Sequence, residues 1–515
     1  ERLETASFLS FALHTPISMV TVDEAHCISQ WGQDFRPSYL KIIDFVEQLP
    51  GNPIISAFTA TATEVVKNDI ARILKLKNPN VVVTGFDREN LYYQVEHLTG
   101  KQKDIFIQNY IETHPNESGI IYCATRKNVD TLYEKLLKQG VSVTRYHAGM
   151  SNDIRKKSQD DFIYDRAQVV IATNAFGMGI DKSNVRFVIH YNMPQSMENY
   201  YQEAGRAGRD GEPAKCILLF STQDVMISKL LLGSKDFEGM DFQEIEQVKH
   251  QDSRRLQLME GYCMTTSCLR NYILEYFGET THQPCDNCGN CHQEFEELDM
   301  TLDAKWVVGC ITEMRGRYGQ ALVIGTLLGS KKARLKDIGA TSYNCYGQLE
   351  NRTEADLRLL ISQMIRMGYI TQTEGEYSVL KAGNIADLQN KNTKIIIKKF
   401  KEKEKISTTK KHKTPFKKDS FSASTESSST DSTATNSSHN SALFEALRQL
   451  RLQIAKEESV PPYIVFTDRT LIDMCSKLPQ NEDEMLNVSG VGQNKLKKYG
   501  QRFLQEISAF QSANH

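Results

Sequence analysis

Between about Asn90 and Phe220 the chain repeats one pattern: a short, almost wholly apolar run, then a longer stretch with apolar residues at helical spacing. The runs are Gly119–Cys123, Val141–Tyr146, Gln168–Ala172, Arg186–His190 and Cys216–Phe220. Between the first two, Val129, Leu132, Tyr133, Leu136 and Leu137 fall at the spacing of an amphipathic helix. A strand apolar on both sides needs cover on both sides, and strand–helix alternation provides it in a doubly wound parallel sheet. The fold class is therefore α/β. Nearer the start, the run Ile17–Val22 ends in Asp23-Glu24-Ala25-His26, and a run near Pro53–Phe58 leads into Thr59-Ala60-Thr61-Ala62-Thr63. Both read as buried parallel strands that deliver polar groups at their carboxyl edge, where open α/β sheets keep their ligands. Two such lobes with a cleft between them suggest a motor architecture.

The 515 residues, 40% hydrophobic and 24% charged, suffice for three or four domains at roughly 150 residues each. No run of about 18 apolar residues is present for a membrane span, and residues 1–20 lack the pattern of a signal peptide. The expectation is a cytoplasmic protein, nucleoid-associated if bacterial, with no membrane partner. Eleven cysteines without an export signal read as reduced thiols plus a metal site. Beyond residue 225 the pattern turns helical. Leu357, Leu360, Ile361, Met364 and Ile365 make one apolar helix face, and Tyr369–Thr373, a turn at Glu374-Gly375 and Glu376–Leu380 read as a hairpin. Helices followed by a hairpin suggest a winged helix. The net charge of -2 conceals residues 391–418, with twelve Lys against two Glu, which read equally as a polyanion contact or as a solvated linker. Ser420–Ser441 cannot bury a core. A last helical domain opens with Leu443, Leu447, Leu450 and Ile454 on one helix, and Gly490-Val491-Gly492 precedes Lys495, Lys497 and Lys498.

The acidic string continues as Cys27-Ile28-Ser29-Gln30-Trp31-Gly32-Gln33-Asp34-Phe35-Arg36-Pro37, which resembles the DEAH box and aromatic-rich loop of RecQ-type ATP-dependent DNA helicases. Phe58-Thr59-Ala60-Thr61-Ala62, Ala172-Thr173-Asn174-Ala175-Phe176-Gly177-Met178-Gly179-Ile180-Asp181 and Gln202-Glu203-Ala204-Gly205-Arg206-Ala207-Gly208-Arg209-Asp210-Gly211 follow in the family's order. The resemblance implies a RecA-like first lobe, incomplete, over 1–88 and a second over 89–222. It further implies a zinc-binding module over 223–300, a winged-helix domain over 301–385, a linker over 386–441 and a helicase-and-RNase-D C-terminal (HRDC) domain over 442–515. It also implies 3′-to-5′ unwinding of duplex and branched DNA, in recombination and repair.

Splitting ATP needs a carboxylate to hold Mg²⁺, a group to activate water and a cation to absorb charge on the transferring phosphoryl. Asp23 fits the first role and Glu24 the second. Arg206 and Arg209 fit as phosphate contacts, with Arg209 the arginine finger. His26, Thr59, Thr61, Gly177, Gly179, Asp181 and Gln202 belong to the motifs that couple the nucleotide to the lobes. Trp31, Phe35 and Arg36 can stack on or contact unpaired bases, or the aromatics can simply pack their loop. The family commonly has His where Gln33 stands, so a proton-bearing role there does not carry over. Cys268, Cys285, Cys288 and Cys291 can converge on a structural Zn²⁺ or hold an iron–sulfur cluster, and the resemblance selects zinc, with Cys263 a bystander. Lys495, Lys497 and Lys498 can face a DNA phosphate beyond the glycine turn, or the turn can merely start a helix.

A phosphate-gripping G-x-x-x-x-G-K-[ST] string is not found. In the family it lies upstream of the DEAH box, and 22 residues precede Asp23. The expectation is an N-terminally truncated chain that hydrolyses little ATP alone. Two rivals stand beside the DNA helicase. One is a non-enzymatic DNA-binding protein retaining a dead motor remnant, against which Glu24, Arg206 and Arg209 weigh; the other is an RNA helicase, against which the aromatic loop and cysteine module weigh.

Overall fold

The computed structural model describes residues 2–29, 35–115, 117–177, 182–234, 242–281, 283–373, 379–385, 393–400 and 436–513. The first unit comprises α1 (Ala6–Leu13), β1 (Met19–Val22), α2 (Pro37–Gln48), β2 (Ile54–Ala57) and α3 (Glu64–Ile73). Pro37 opens α2, where its missing N–H costs nothing. Strands β1 and β2 pair in parallel, Met19 opposite Ile54 and Val22 opposite Ala57. Beyond them Phe58 N–H donates to Val22 O at 2.8 Å and Ala25 N–H to Phe58 O at 2.9 Å. The two acidic residues and the threonine string therefore emerge side by side.

The second unit contains β3 (Leu91–His97), α4 (Gly100–Thr113), β4 (Ser118–Tyr122), α5 (Arg126–Lys138), β5 (Val143–Tyr146), α6 (Asn152–Ile163), β6 (Val169–Ala172), β7 (Val185–His190), α7 (Met197–Ala204) and β8 (Ala214–Phe220). They form one parallel sheet in the order β3-β8-β7-β4-β6-β5. The five apolar runs of the sequence are five of its strands. The sixth, β3, alternates buried and half-buried residues, as an edge strand does, and no apolar run marks it. Every residue of β4 and β6 is buried. One face packs on Ile107, Val129, Leu132 and Leu136 of α4 and α5. The other packs on Met197 and Tyr200 of α7 and on residues beyond 250.

Those later residues belong to α8 (Thr222–Gly233), α9 (Phe242–Met264), α10 (Leu269–Tyr276) and the single turn α11 (Gly289–His292). Leu256, Met259, Tyr262, Leu269 and Ile273 join the core of the sheet. Buried Arg270 donates to Asp87 Oδ1 at 2.5 Å and to the carbonyls of Leu91 and Glu89 at 2.7 and 3.2 Å. The expected module is thus physically continuous with the second lobe.

The third unit begins earlier and ends later than the sequence suggests. Strand β9 (Phe295–Asp299) pairs antiparallel with β12 (Ile396–Phe400), Phe295 opposite Phe400. The first falls within the expected module over 223–300 and the second within the expected linker over 386–441, so both boundaries are corrected. Ile395 and Ile397 are fully buried between exposed neighbours; the abundance of lysine masked a period of two. Between these strands lie α12 (Thr301–Glu313), α13 (Gln320–Leu327), α14 (Ala333–Asp337), α15 (Glu354–Arg366), β10 (Ile370–Gln372) and β11 (Leu380–Ala382). Leu357, Leu360, Ile361 and Met364 are buried, with Ile365 packed beside them. The hairpin is present, but its second strand starts at Leu380, where the sequence pattern has it end. Its turn, the rest of the Lys-rich run and most of the Ser-rich stretch lie outside the described residues.

The last unit is all helical: α16 (Asn436–Glu458), α17 (Pro462–Val465), α18 (Asp468–Lys477), α19 (Glu482–Leu486), α20 (Gln493–Lys495) and α21 (Gln501–Ala513). Leu443, Leu447 and Ile454 are buried in its core. No helix among the described residues is long and apolar enough to cross a membrane.

Gly119 makes the centre of the large sheet possible, since a Cβ there lies 2.0 Å from the Phe187 ring on β7. Gly119→Ala is expected to destabilise the protein by about 1–3 kcal/mol through overpacking, read as a lower urea midpoint at unchanged slope. An unshifted midpoint shows that Phe187 moves aside without cost.

Candidate nucleotide cleft and metal centre

At the carboxyl end of β1 the chain turns sharply. Glu24 adopts a left-handed conformation (φ 48°) before a 3₁₀ turn over Ala25–Ile28, and Asp23 Oδ1 accepts the Glu24 N–H at 2.9 Å. Asp23 is exposed and Glu24 half-buried. Buried His26 places Nδ1 3.3 Å from Glu24 Oε2 and 3.0 Å from Thr59 Oγ1. Thr59 Oγ1 accepts the Thr61 N–H at 3.3 Å, and Thr61 Oγ1 accepts from Gln202 Nε2 at 3.0 Å. A line of polar neighbours thus runs from a carboxylate of the first unit to α7 of the second, its first step an approach of Glu24 to His26 and the rest hydrogen bonds. Phe35 and Arg36 lie half-buried just before α2, with Arg36 N–H donating to Cys27 O at 2.9 Å. Trp31, Gln33, Gly179 and Asp181 lie outside the described residues.

The turn after α7 carries the two arginines. Arg88 donates to the carbonyls of Gly205, Ala207 and Gly208, and Asn90 to those of Gly208 and Glu212. Arg186 pairs with Asp210. Arg209 is exposed, whereas half-buried Arg206 donates from Nη1 to Gly177 O at 2.5 Å. Gly177 sits at φ 141°, and a Cβ there lies 2.2 Å from Arg206 Cζ. Only glycine lets the guanidinium approach this closely.

Cys268, Cys285, Cys288 and Cys291 bring their sulfurs within 4.8 Å of one another. Cys288–Cys291, Cys285–Cys291 and Cys288–Cys268 are 3.5, 3.9 and 4.0 Å apart. Tetrahedral zinc with Zn–S near 2.3 Å requires edges of about 3.8 Å, so the set fits a single Zn²⁺ and is too close to enclose an iron–sulfur cluster. Cys268 caps α10, and Asn290 Nδ2 braces the site on the carbonyls of Thr265 and Ser267, each at 2.8 Å. Cys263 is in the apolar core, where burial pushes its thiol well up, outside the ligand set.

The C-terminal lysines divide. Lys495 lies over the Phe466 ring at 5.5 Å, held below the ordinary lysine range by burial. Lys498 pairs with Glu458 at 2.6 Å, and that hydrogen bond raises it; Lys497 is exposed. Gly490 (φ 82°) packs where a Cβ lies 2.4 Å from Thr470 Oγ1, so the fold itself requires this glycine. A clearer basic patch escaped the sequence reading. Lys331, Lys332, Arg334 and Lys336 are all exposed around α14, and four cations in six residues were the available signal.

Parallel-sheet ends bearing paired carboxylates and paired arginines, beside a closed four-thiolate centre, define a helicase-type core with a structural zinc module. Four family models match in succession: helicase conserved C-terminal domain over 102–211, RecQ zinc-binding over 222–292, RQC domain over 294–406 and HRDC domain over 440–507. The chain is 40% identical over 510 residues to the ATP-dependent DNA helicase RecQ of Bacillus subtilis, covering 99% of this chain and 80% of that protein. It is 35% identical to the Haemophilus influenzae protein of the same name over 98% of this chain and 77% of that one. The RecQ-like DNA helicase BLM of Xenopus laevis is 31% identical over 96% of this chain and 36% of its own length. The chain belongs to the RecQ family.

Cys288→Ser is expected to remove the bound zinc and lower the melting temperature, while Cys263→Ala keeps one zinc per chain by atomic absorption. Full zinc content in Cys288→Ser rules out the four-thiolate assignment.

Proposed function

We propose that the protein is an ATP-driven DNA helicase that moves 3′ to 5′ and opens forked and branched duplexes in recombination and repair. The observation that carries the reading is the line Glu24–His26–Thr59–Thr61–Gln202, because it joins the carboxylate suited to activating water to the helix that ends at the arginine turn. Asp23 holds the Mg²⁺ of the bound nucleotide and Glu24 takes the proton of the attacking water. Arg209, the more exposed arginine, absorbs charge on the transferring phosphoryl. Trp31, Phe35 and Arg36 meet the single strand, and zinc supplies structure and no chemistry. On this reading the protein works in the cytoplasm, on chromosomal DNA.

DNA-stimulated ATP hydrolysis by the full gene product tests the motor. Glu24→Gln is expected to reduce kcat at least about a hundredfold. Gln202→Ala is expected to keep DNA binding while weakening the stimulation by DNA. Full turnover in Glu24→Gln excludes the proposed base.

We further infer that the basic patch around α14 tracks the DNA backbone. Replacing Lys331, Lys332, Arg334 and Lys336 together by Ala is expected to weaken fork binding regardless of sequence and to flatten the log-affinity against log-salt slope by about 3. An unchanged slope places the DNA elsewhere.

A further inference from the structure

In the sheet of the second unit the connections diverge at one place. Strand β4 leads through α5 to β5 on one side, and its neighbour β7 leads through α7 to β8 on the other. Such a reversal opens a crevice at the carboxyl ends of the two strands, where α/β proteins place ligands. The last residues of these strands are Tyr122 and His190. They are register partners, their rings stack at 5.5 Å and 22°, and both are buried.

Both are linked to the arginine turn by polar contacts. Tyr122 Oη donates to Phe176 O at 3.1 Å, and the next carbonyl along, that of Gly177, accepts from Arg206. His190 Nε2 lies 2.8 Å from Glu203 Oε2; a carboxylate only accepts, so the ring nitrogen donates. Glu203 opens the arginine turn, its carbonyl accepting the Arg206 N–H at 3.3 Å. His190 Nδ1 is buried without a partner.

We infer that Tyr122 and His190 are positioning residues for the arginines. His190 fixes Glu203 at the head of the turn, Tyr122 and Arg206 hold two successive carbonyls of the segment after β6, and the rigid strand ends thereby set where the guanidinium groups meet the nucleotide. The inference rests on the ATP-hydrolysing reading above. A cation that stabilises charge only as phosphoryl transfer proceeds affects kcat more than KM when displaced.

The test is DNA-stimulated ATP hydrolysis by the full gene product. His190→Leu and Tyr122→Phe are expected to lower kcat about tenfold with KM for ATP within about twofold. His190→Gln, whose amide can still donate to Glu203, is expected to restore kcat to within about threefold of the parent. Equal losses in the Leu and Gln variants, or undiminished kcat in all three, overturn the inference. A parent that turns over no ATP defeats the motor reading, and backbone hydrogen exchange in the 515-residue chain then decides the positioning claim. Faster exchange over 203–209 in His190→Leu but not in His190→Gln supports it, and identical exchange refutes it.

Discussion

A parallel strand buried on both faces has no stable existence until both faces are covered, and β4 and β6 impose that requirement on the whole molecule. Helices α4 and α5 cover one side from within the lobe. The other side is completed by α9 and α10, which follow the last strand and carry the metal ligand Cys268 at the head of α10. Each large apolar side chain buried there contributes about 1.5–3 kcal/mol. Arg270 fixes how the helices sit, because its buried guanidinium has acceptors only in one register against Asp87, Glu89 and Leu91. A helix that completes the lobe therefore begins at one of the four cysteines of the metal site.

The cleft between the first two units is built on a different scale. The Gln202–Thr61 hydrogen bond is a neutral contact of about 0.5–1.5 kcal/mol. An interaction of that size can report the position of one lobe to the other without locking them. The carbonyls of the arginine turn, in contrast, are held by Arg88 and Asn90 from the segment that links the lobes, so any shift of that segment acts directly on Arg206 and Arg209.

Much of this was legible in the sequence because burial on two faces leaves a continuous apolar run, and five of the six strands of the large sheet announced themselves that way. Strand β3 did not, since an edge strand alternates, and β12 was hidden because lysines outnumbered the two isoleucines that face inward. Asp23, Glu24 and the four cysteines were legible because their chemistry demands fixed spacing. Tyr122 and His190 were not, because each sits at the end of an apolar strand and reads as core until the sheet order makes them neighbours. The four cations around α14 were legible as a cluster in the sequence, and their common exposure is what the structure adds.

Pairing of Phe295 with Phe400 closes the third unit like a drawstring, bringing its entrance and its exit to one spot beside the metal module. The chain leaves this unit beside the strand by which it entered, although the exit strand follows soon after the hairpin in sequence. The hairpin is anchored in the same core as these strands through Ile370 and Leu380, and Leu335 of α14 is buried as well. The C-terminal domain meets the second lobe directly as well, Arg469 Nε lying 3.6 Å from Glu212 Oε1, so the chain returns to the motor after passing through the winged element.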